Sequence, residues 1–203
     1  MKPLVIIFFF AFIVYGCGQS SDQSAFEGEV KTAKTAAVGT IPDQSLYVLA
    51  DTFVTQDNKA ITLKDLAGKP TVLGMIFTNC NYACPRLTAD MKGIEDKLKD
   101  LDGKVNYVLV SFDTDRDTPE QLKKYAKSID LDNRWTLLHG SEEAVRTLSV
   151  LLNLQFEKDA EGNFSHSNII SVLDKRGNLV FQKEGLEANH VPTVQTIKDL
   201  AAK

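Results

Sequence analysis

The chain has 203 residues, 43% of them hydrophobic and 25% charged, with 23 basic and 27 acidic side chains and a formal net charge of −4. That balance excludes a basic nucleic-acid-binding surface. Lys123, Lys124 and Lys127 fall among acidic and polar residues of a predicted helix, as a solvated face rather than a phosphate-binding patch.

Met1 and Lys2 lead into an apolar run from Leu4 to Tyr15, closed by Gly16 and Cys17 and followed by abruptly polar sequence, the layout of a cleaved signal peptide. Its twelve apolar residues fall short of the ~20 that a spanning helix needs. Val14-Tyr15-Gly16-Cys17 resembles a bacterial lipobox, although Tyr15 is bulkier than the residue usual there. The expected organisation is a lipoprotein signal peptide at 1–16 and a flexible, lipid-anchored tether at 17–44 beginning with lipidated Cys17. A folded domain at 45–203 would then lie outside the cytoplasm in a bacterial cell envelope. Cleavage leaves 22 basic and 27 acidic residues, a balance of −5. A domain of this length buries a core without disulfides or metal, so any metal serves function.

Leu46–Leu49 and Thr52–Thr55 read as extended, and Asp57-Asn58 turns the chain into Ala60–Leu63 as an N-terminal hairpin. Thr71–Phe77 is apolar throughout, as a central strand covered on both faces requires. Leu87, Met91, Ile94 and Leu98 then mark one stripe of a helix running to about Asp100. Val105–Phe112 is a second buried strand. Thr118-Pro119-Glu120-Gln121 starts a helix, with a capping residue and a proline at its first position. Trp135–Leu138 is a short strand, and Ser141-Glu142-Glu143 opens a helix that ends near Leu152. Ile169–Leu173 and Leu179–Gln182 form a hairpin around Gly177, and a last helix spans about Thr193 to Ala202. Strands alternating with helices, then a hairpin and a helix, define an α/β domain whose central mixed β-sheet is flanked by helices, in the order of a thioredoxin-like fold.

Cys80 and Cys84 are the two cysteines left if Cys17 carries lipid, and they fall between a buried strand and a helix start. That is the carboxyl end of the sheet, where α/β folds present reactive groups. A helix N-terminus favours thiolate, the form that binds metal or attacks disulfides. Three intervening residues let both sulfurs converge on one soft ion, and also permit a redox disulfide. Soft thiolates favour Cu(I) and zinc, and an added imidazole helps hold Cu(II). Zinc sites usually take four ligands, more than this pair readily supplies. His139, closing a strand, and His190, before the last helix, read as surface or capping residues. His166 lies in the loop Gly162–Ser167 entering the hairpin strand, which in a thioredoxin-like fold lies beside the cysteines. Asp113, at a strand end, is a candidate support for the cysteines with Arg116 as its ion-pair partner. Asp113–Asp117 superficially matches a calcium loop, but Thr118 stands where glycine is required and Lys124 where the closing glutamate belongs.

Cys80-Asn-Tyr-Ala-Cys84-Pro85, the Ser111–Pro119 stretch and the histidine loop before Ile169 together resemble the Sco/SenC family over about Leu46 to Leu200. The resemblance implies a thioredoxin fold in which Cys80, Cys84 and His166 bind copper, as Cu(I) or Cu(II). It implies a metallochaperone that delivers copper to the CuA centre of cytochrome c oxidase, or reduces the thiols there. The implied partners are the CuA-bearing subunit or another copper enzyme, a copper donor and a thiol reductant. Family members often carry aspartate before the ligand histidine, whereas this chain has Ser165. A carboxylate that orients the imidazole is therefore expected to be missing, with weaker Cu(II) binding as the consequence.

The alternative is an extracytoplasmic thiol-disulfide oxidoreductase or a redox sensor built on Cys80 and Cys84. Ordinary thioredoxin-like enzymes have a two-residue spacer and a cis-proline facing the cysteines. None of Pro3, Pro42, Pro70, Pro85, Pro119 and Pro192 lies before Ile169, where that proline belongs. A sensor would leave His166 without a role.

Overall fold

The structure, a computed structural model, describes residues 44–187 and 189–202. The leader, Cys17 and all but the last residue of the tether lie outside the described residues. Strand β1 (Thr52–Thr55) pairs antiparallel with β2 (Ala60–Thr62) as the expected hairpin. Strand β3 (Thr71–Ile76) lies parallel to β4 (Asn106–Ser111), which in turn lies parallel to β5 (Trp135–Gly140). On its other side β3 meets β8 (Ile169–Leu173) antiparallel, with β9 (Leu179–Glu184) outermost. The sheet order is β2-β1-β5-β4-β3-β8-β9, a mixed thioredoxin-like sheet with β3 near its centre. Every residue of β3 is buried, which is why that segment is apolar throughout.

Four helices flank the sheet: α1 (Ala83–Asp96), α2 (Pro119–Ser128), α3 (Glu142–Leu151) and α4 (Val191–Ala201). Leu87, Met91, Ile94 and Leu98 are all buried, as their spacing requires. The helix itself stops at Asp96, and Lys99–Leu101 forms a separate 3-10 turn. Thr118 Oγ1 accepts the Gln121 N–H at 3.3 Å and Ser141 Oγ accepts the Ala144 N–H at 3.2 Å, so both predicted caps form. Among the described residues no helix is long and apolar enough to cross a membrane.

Two local expectations need correction. Leu46–Val48 is a 3-10 turn rather than a strand, because Leu46 and Tyr47 are drawn into the core and Leu46 N–H bonds to Gly177 O at 2.9 Å. Gly177 has φ +82°, and a Cβ there would stand 2.4 Å from the Tyr47 ring, so both the turn and the packing require glycine. The segment read as a loop before Ile169 contains a second small sheet: β6 (Phe156–Lys158) pairs antiparallel with β7 (Phe164–His166). Three-residue strands leave too short a pattern to read, and aromatic contacts made elsewhere in the fold hold this hairpin.

Candidate metal centre

After β3 the chain turns through Phe77 to Tyr82 and enters α1 at Ala83, which places Cys80 in the turn and Cys84 in the first helical turn. Both cysteines are free thiols. The Cys84 N–H donates to Cys80 Sγ at 3.3 Å, and the Phe77 N–H donates to Cys84 Sγ at 3.4 Å. Cys80 is half-buried and Cys84 fully buried.

These surroundings divide the two thiols. Burial pushes the Cys80 thiol up, but the N–H groups of Cys84, Tyr82 and Ala83 outweigh it and hold the thiol below its ordinary value. Burial pushes Cys84 strongly up, and the single Phe77 N–H offsets little of it. The negative charges of Cys80 and Asp117 add to the rise. Cys80 is therefore the ready thiolate. Cys84 surrenders its proton to a metal, since a coordinated thiol is deprotonated outright.

His166 ends β7, and its Nε2 lies 3.8 Å from Cys84 Sγ. Its Nδ1 lies 3.1 Å from the Ser167 carbonyl oxygen, which can only accept, so Nδ1 carries the proton and Nε2 presents its lone pair. That carbonyl orients the ring as a carboxylate would. Ser165 faces the other side of the hairpin opposite Glu157 and is exposed, so the imidazole's orientation does not depend on a carboxylate at that position. The ring packs against Phe112, with centroids 4.9 Å apart, and edge-on to Phe77 at 6.1 Å. Phe164 in turn packs at a tilt against Phe77 and Phe112, with centroids 5.1 and 5.0 Å away. These rings dock the hairpin against the ends of β3 and β4. An open groove of about 460 Å³ is lined by His166 together with Phe156, Glu157, Ser165 and Glu184.

The ligand atoms of Cys80, Cys84 and His166 all lie within 4.8 Å of one another. Three donors bonded to one ion at ~2.0–2.3 Å stand roughly 3.5–4 Å apart, so the trio fits a soft metal ion with only a small closing movement. The three residues named from the sequence are brought together. His139 and His190 are not: His139 Nδ1 meets the Asp117 carbonyl at 3.0 Å. His190 is buried at the start of α4, makes no capping bond, and lies 3.5 Å from Asp90.

Asp113 is fully buried, but its carboxylate pairs with Arg116 and, at 3.9 Å, with Lys158, rather than with the cysteine turn. Asp117 is the carboxylate that reaches that turn. It accepts the Thr78 N–H at 2.8 Å, Thr78 Oγ1–H at 2.5 Å and Ser111 Oγ–H at 2.6 Å. The sequence placed Asp117 in the right motif without revealing this role. Thr78 and the aromatic collar of Phe77, Phe112, Phe156 and Phe164 carry no sequence signal of their role, because the contacts that give it, Thr78 with Asp117 and Phe77 with Phe112 and Phe164, join distant segments.

Fold and site together define a thioredoxin-like domain in which two thiols and one imidazole converge as donors that could hold a soft metal ion. The chain belongs to the SCO1/SenC family, whose model matches residues 43–202. It is 29% identical over 143 residues to the SCO1 protein homolog of Bacillus subtilis, covering 67% of this chain and 72% of that one. The solved structure of BsSco, described as a member of the Sco family of cytochrome c oxidase assembly proteins with a disulfide switch, is 28% identical with TM-score 0.68. That match covers 78% of this chain and 95% of that one. Bradyrhizobium japonicum ScoI with copper bound is 25% identical with TM-score 0.65, covering 74% and 96%.

Proposed function

We propose that the protein is a copper metallochaperone in which Cys80, Cys84 and His166 hold one copper ion for assembly of the CuA centre of cytochrome c oxidase. The observation that carries this reading is the convergence of two sulfurs and one free imidazole lone pair within 4.8 Å. Thiolates suit Cu(I), and the imidazole extends the site to Cu(II), so copper is the cargo this donor set serves in both oxidation states. The copper-bound and oxidase-assembly descriptions of its relatives support the same cargo and destination. The leader and lipobox-like Val14–Cys17 support a lipid anchor at Cys17 and a place in the bacterial envelope, where a membrane oxidase is within reach.

The unequal thiols support a second activity at the same site, reduction of a disulfide in the recipient's copper site. Cys80 thiolate attacks one substrate sulfur, forming a mixed disulfide and releasing the other as thiolate. Cys84 then gives up its proton and attacks Cys80 Sγ, leaving a Cys80–Cys84 disulfide and a second substrate thiol. The low thiol attacks and the buried one resolves.

Anaerobic titration of the domain with Cu(I) and Cu(II), repeated for Cys80→Ser, Cys84→Ser and His166→Ala, tests the reading. One copper per chain is expected, lost in either serine variant, with Cu(II) binding weakened in His166→Ala. A parent that bound no copper yet reduced general disulfides rapidly would replace the chaperone with an oxidoreductase.

A further inference from the structure

Cys84 and His166 come from segments 82 residues apart, joined by the β3–β8 pairing and the aromatic rings. A further element that both segments meet is the turn between β4 and α2. It is tied internally: the Asp113 N–H donates to Ser111 Oγ at 3.0 Å, and the Arg116 and Asp117 N–H groups donate to the Asp113 carbonyl at 3.3 and 3.0 Å.

The turn reaches in two directions. Toward the cysteines, Asp117 takes both the N–H and the hydroxyl of Thr78, two residues before Cys80, while Ser111 holds the same carboxylate and Gln121 Nε2 reinforces Thr78 Oγ1 at 3.2 Å. Toward the histidine, Arg116 donates from Nε to buried Asp113 and from Nη2 to the Gly162 carbonyl, in the loop that joins β6 to β7. Lys158 of the same hairpin lies 2.6 Å from Asp115. Gly162 has φ +83°, and a Cβ there would come within 3.3 Å of Arg116 Nη1, so the close approach of guanidinium and backbone needs glycine. Both carboxylates of this short turn are fully buried, which is costly without partners: Asp117 is spent on the segment before Cys80, and Asp113 pairs with Arg116 inside the turn while its Oδ1 has no hydrogen-bond partner.

The geometry points to this turn as a two-armed clamp: Asp117 is a positioning residue for the Cys80/Cys84 turn and Arg116, seated on Asp113, is a positioning residue for His166. The inference rests on the copper reading for its consequence, but its mechanical content is independent of metal. An Asp117→Asn side chain loses the charge and one acceptor oxygen, so it cannot accept all three bonds, from the Thr78 N–H, the Thr78 hydroxyl and the Ser111 hydroxyl, as the carboxylate does. An Arg116→Lys side chain keeps its charge and loses the fork that holds Asp113 and Gly162 together.

The test is peptide-resolved hydrogen exchange on the full chain in detergent, reduced and metal-free, paired with Cu(I) and Cu(II) affinities. Asp117→Asn is expected to speed exchange across residues 77–84 and leave 157–166 unchanged, and to weaken Cu(I) and Cu(II) alike by about 10–100-fold. Thr78→Val, which touches no charge, follows it in direction. Arg116→Lys is expected to speed exchange across 157–166 alone and to weaken Cu(II) by the larger factor. Variants that loosen both segments equally, or neither, overturn the clamp. A parent that binds no copper removes the copper reading while the exchange pattern still decides the clamp.

Discussion

His166 Nε2 stands 3.8 Å from Cys84 Sγ, with its Nδ1 proton committed to the Ser167 carbonyl. This one relationship converts a pair of thiols into a three-donor site in which Cys80 is the less buried of the two cysteines. Exposure and thiolate character then coincide on Cys80, and both are withheld from Cys84.

Alkylation of the reduced, metal-free protein should therefore be sequential. Cys80 is expected to react with iodoacetamide at near-neutral pH, with a rate that rises through an apparent pKa below the ordinary 9.0 of a thiol. Cys84, buried and pushed up, should remain unmodified until the protein is denatured. Mass spectrometry of digested samples reads both sites, and equal labelling of the two would contradict the assigned asymmetry.

The same shifts predict how stability follows pH. Cys80 is lowered on folding, so it adds stability that is full above the unfolded value of 9.0 and is lost as pH falls through its folded value. Cys84 and Tyr107 are raised far up and Tyr125 is raised to about 12, all chiefly by burial. Above pH 9, and more so above 10, these protons leave the unfolded chain but not the folded one, so stability falls. Urea midpoints measured from pH 7 to 11 should decline at the alkaline end, and Cys84→Ser should make the decline between pH 9 and 10 shallower. An unchanged slope in that variant would remove Cys84 as a contributor.

Phe164→Ala should loosen the hairpin more than the core. The ring is half-buried and packs on Phe77 and Phe112, so the loss should be roughly 1–2 kcal/mol, below the ~3–5 kcal/mol of a fully buried Phe→Ala. Because the ring helps seat His166, Cu(II) affinity should fall further than Cu(I) affinity. Thermal unfolding and paired titrations check this, and an equal fall for both ions would mean that the aromatic collar does not serve the imidazole.

The proposed anchor has its own test. Replacing Cys17 with serine should move the protein from the membrane fraction to the soluble or secreted fraction of expressing bacteria, and should abolish incorporation of labelled fatty acid. Continued labelling of Cys17→Ser would place the lipid elsewhere, and an unlabelled parent would dismiss it.

The order and type of the long elements follow from the residue pattern alone. Burial on two faces demands an unbroken apolar run, as at Thr71–Ile76, and a helix buries one stripe, as at Leu87, Met91, Ile94 and Leu98. The chemistry on offer follows from it too, because the two domain cysteines lie at a strand-to-helix turn and sulfur selects soft metals. Which carboxylate bonds which segment depends on contacts made in the folded chain. Asp113 and Asp117 are equivalent as letters, four residues apart in one turn, yet one bonds Arg116 and the other Thr78. So does the hairpin of Phe156–Lys158 and Phe164–His166, whose strands are too short to show a period and which rings from other strands hold in place. The partner that orients His166 is a backbone carbonyl, and every residue has one. No side-chain pattern can announce that contact, so the role of Ser167 is a property of the folded chain alone.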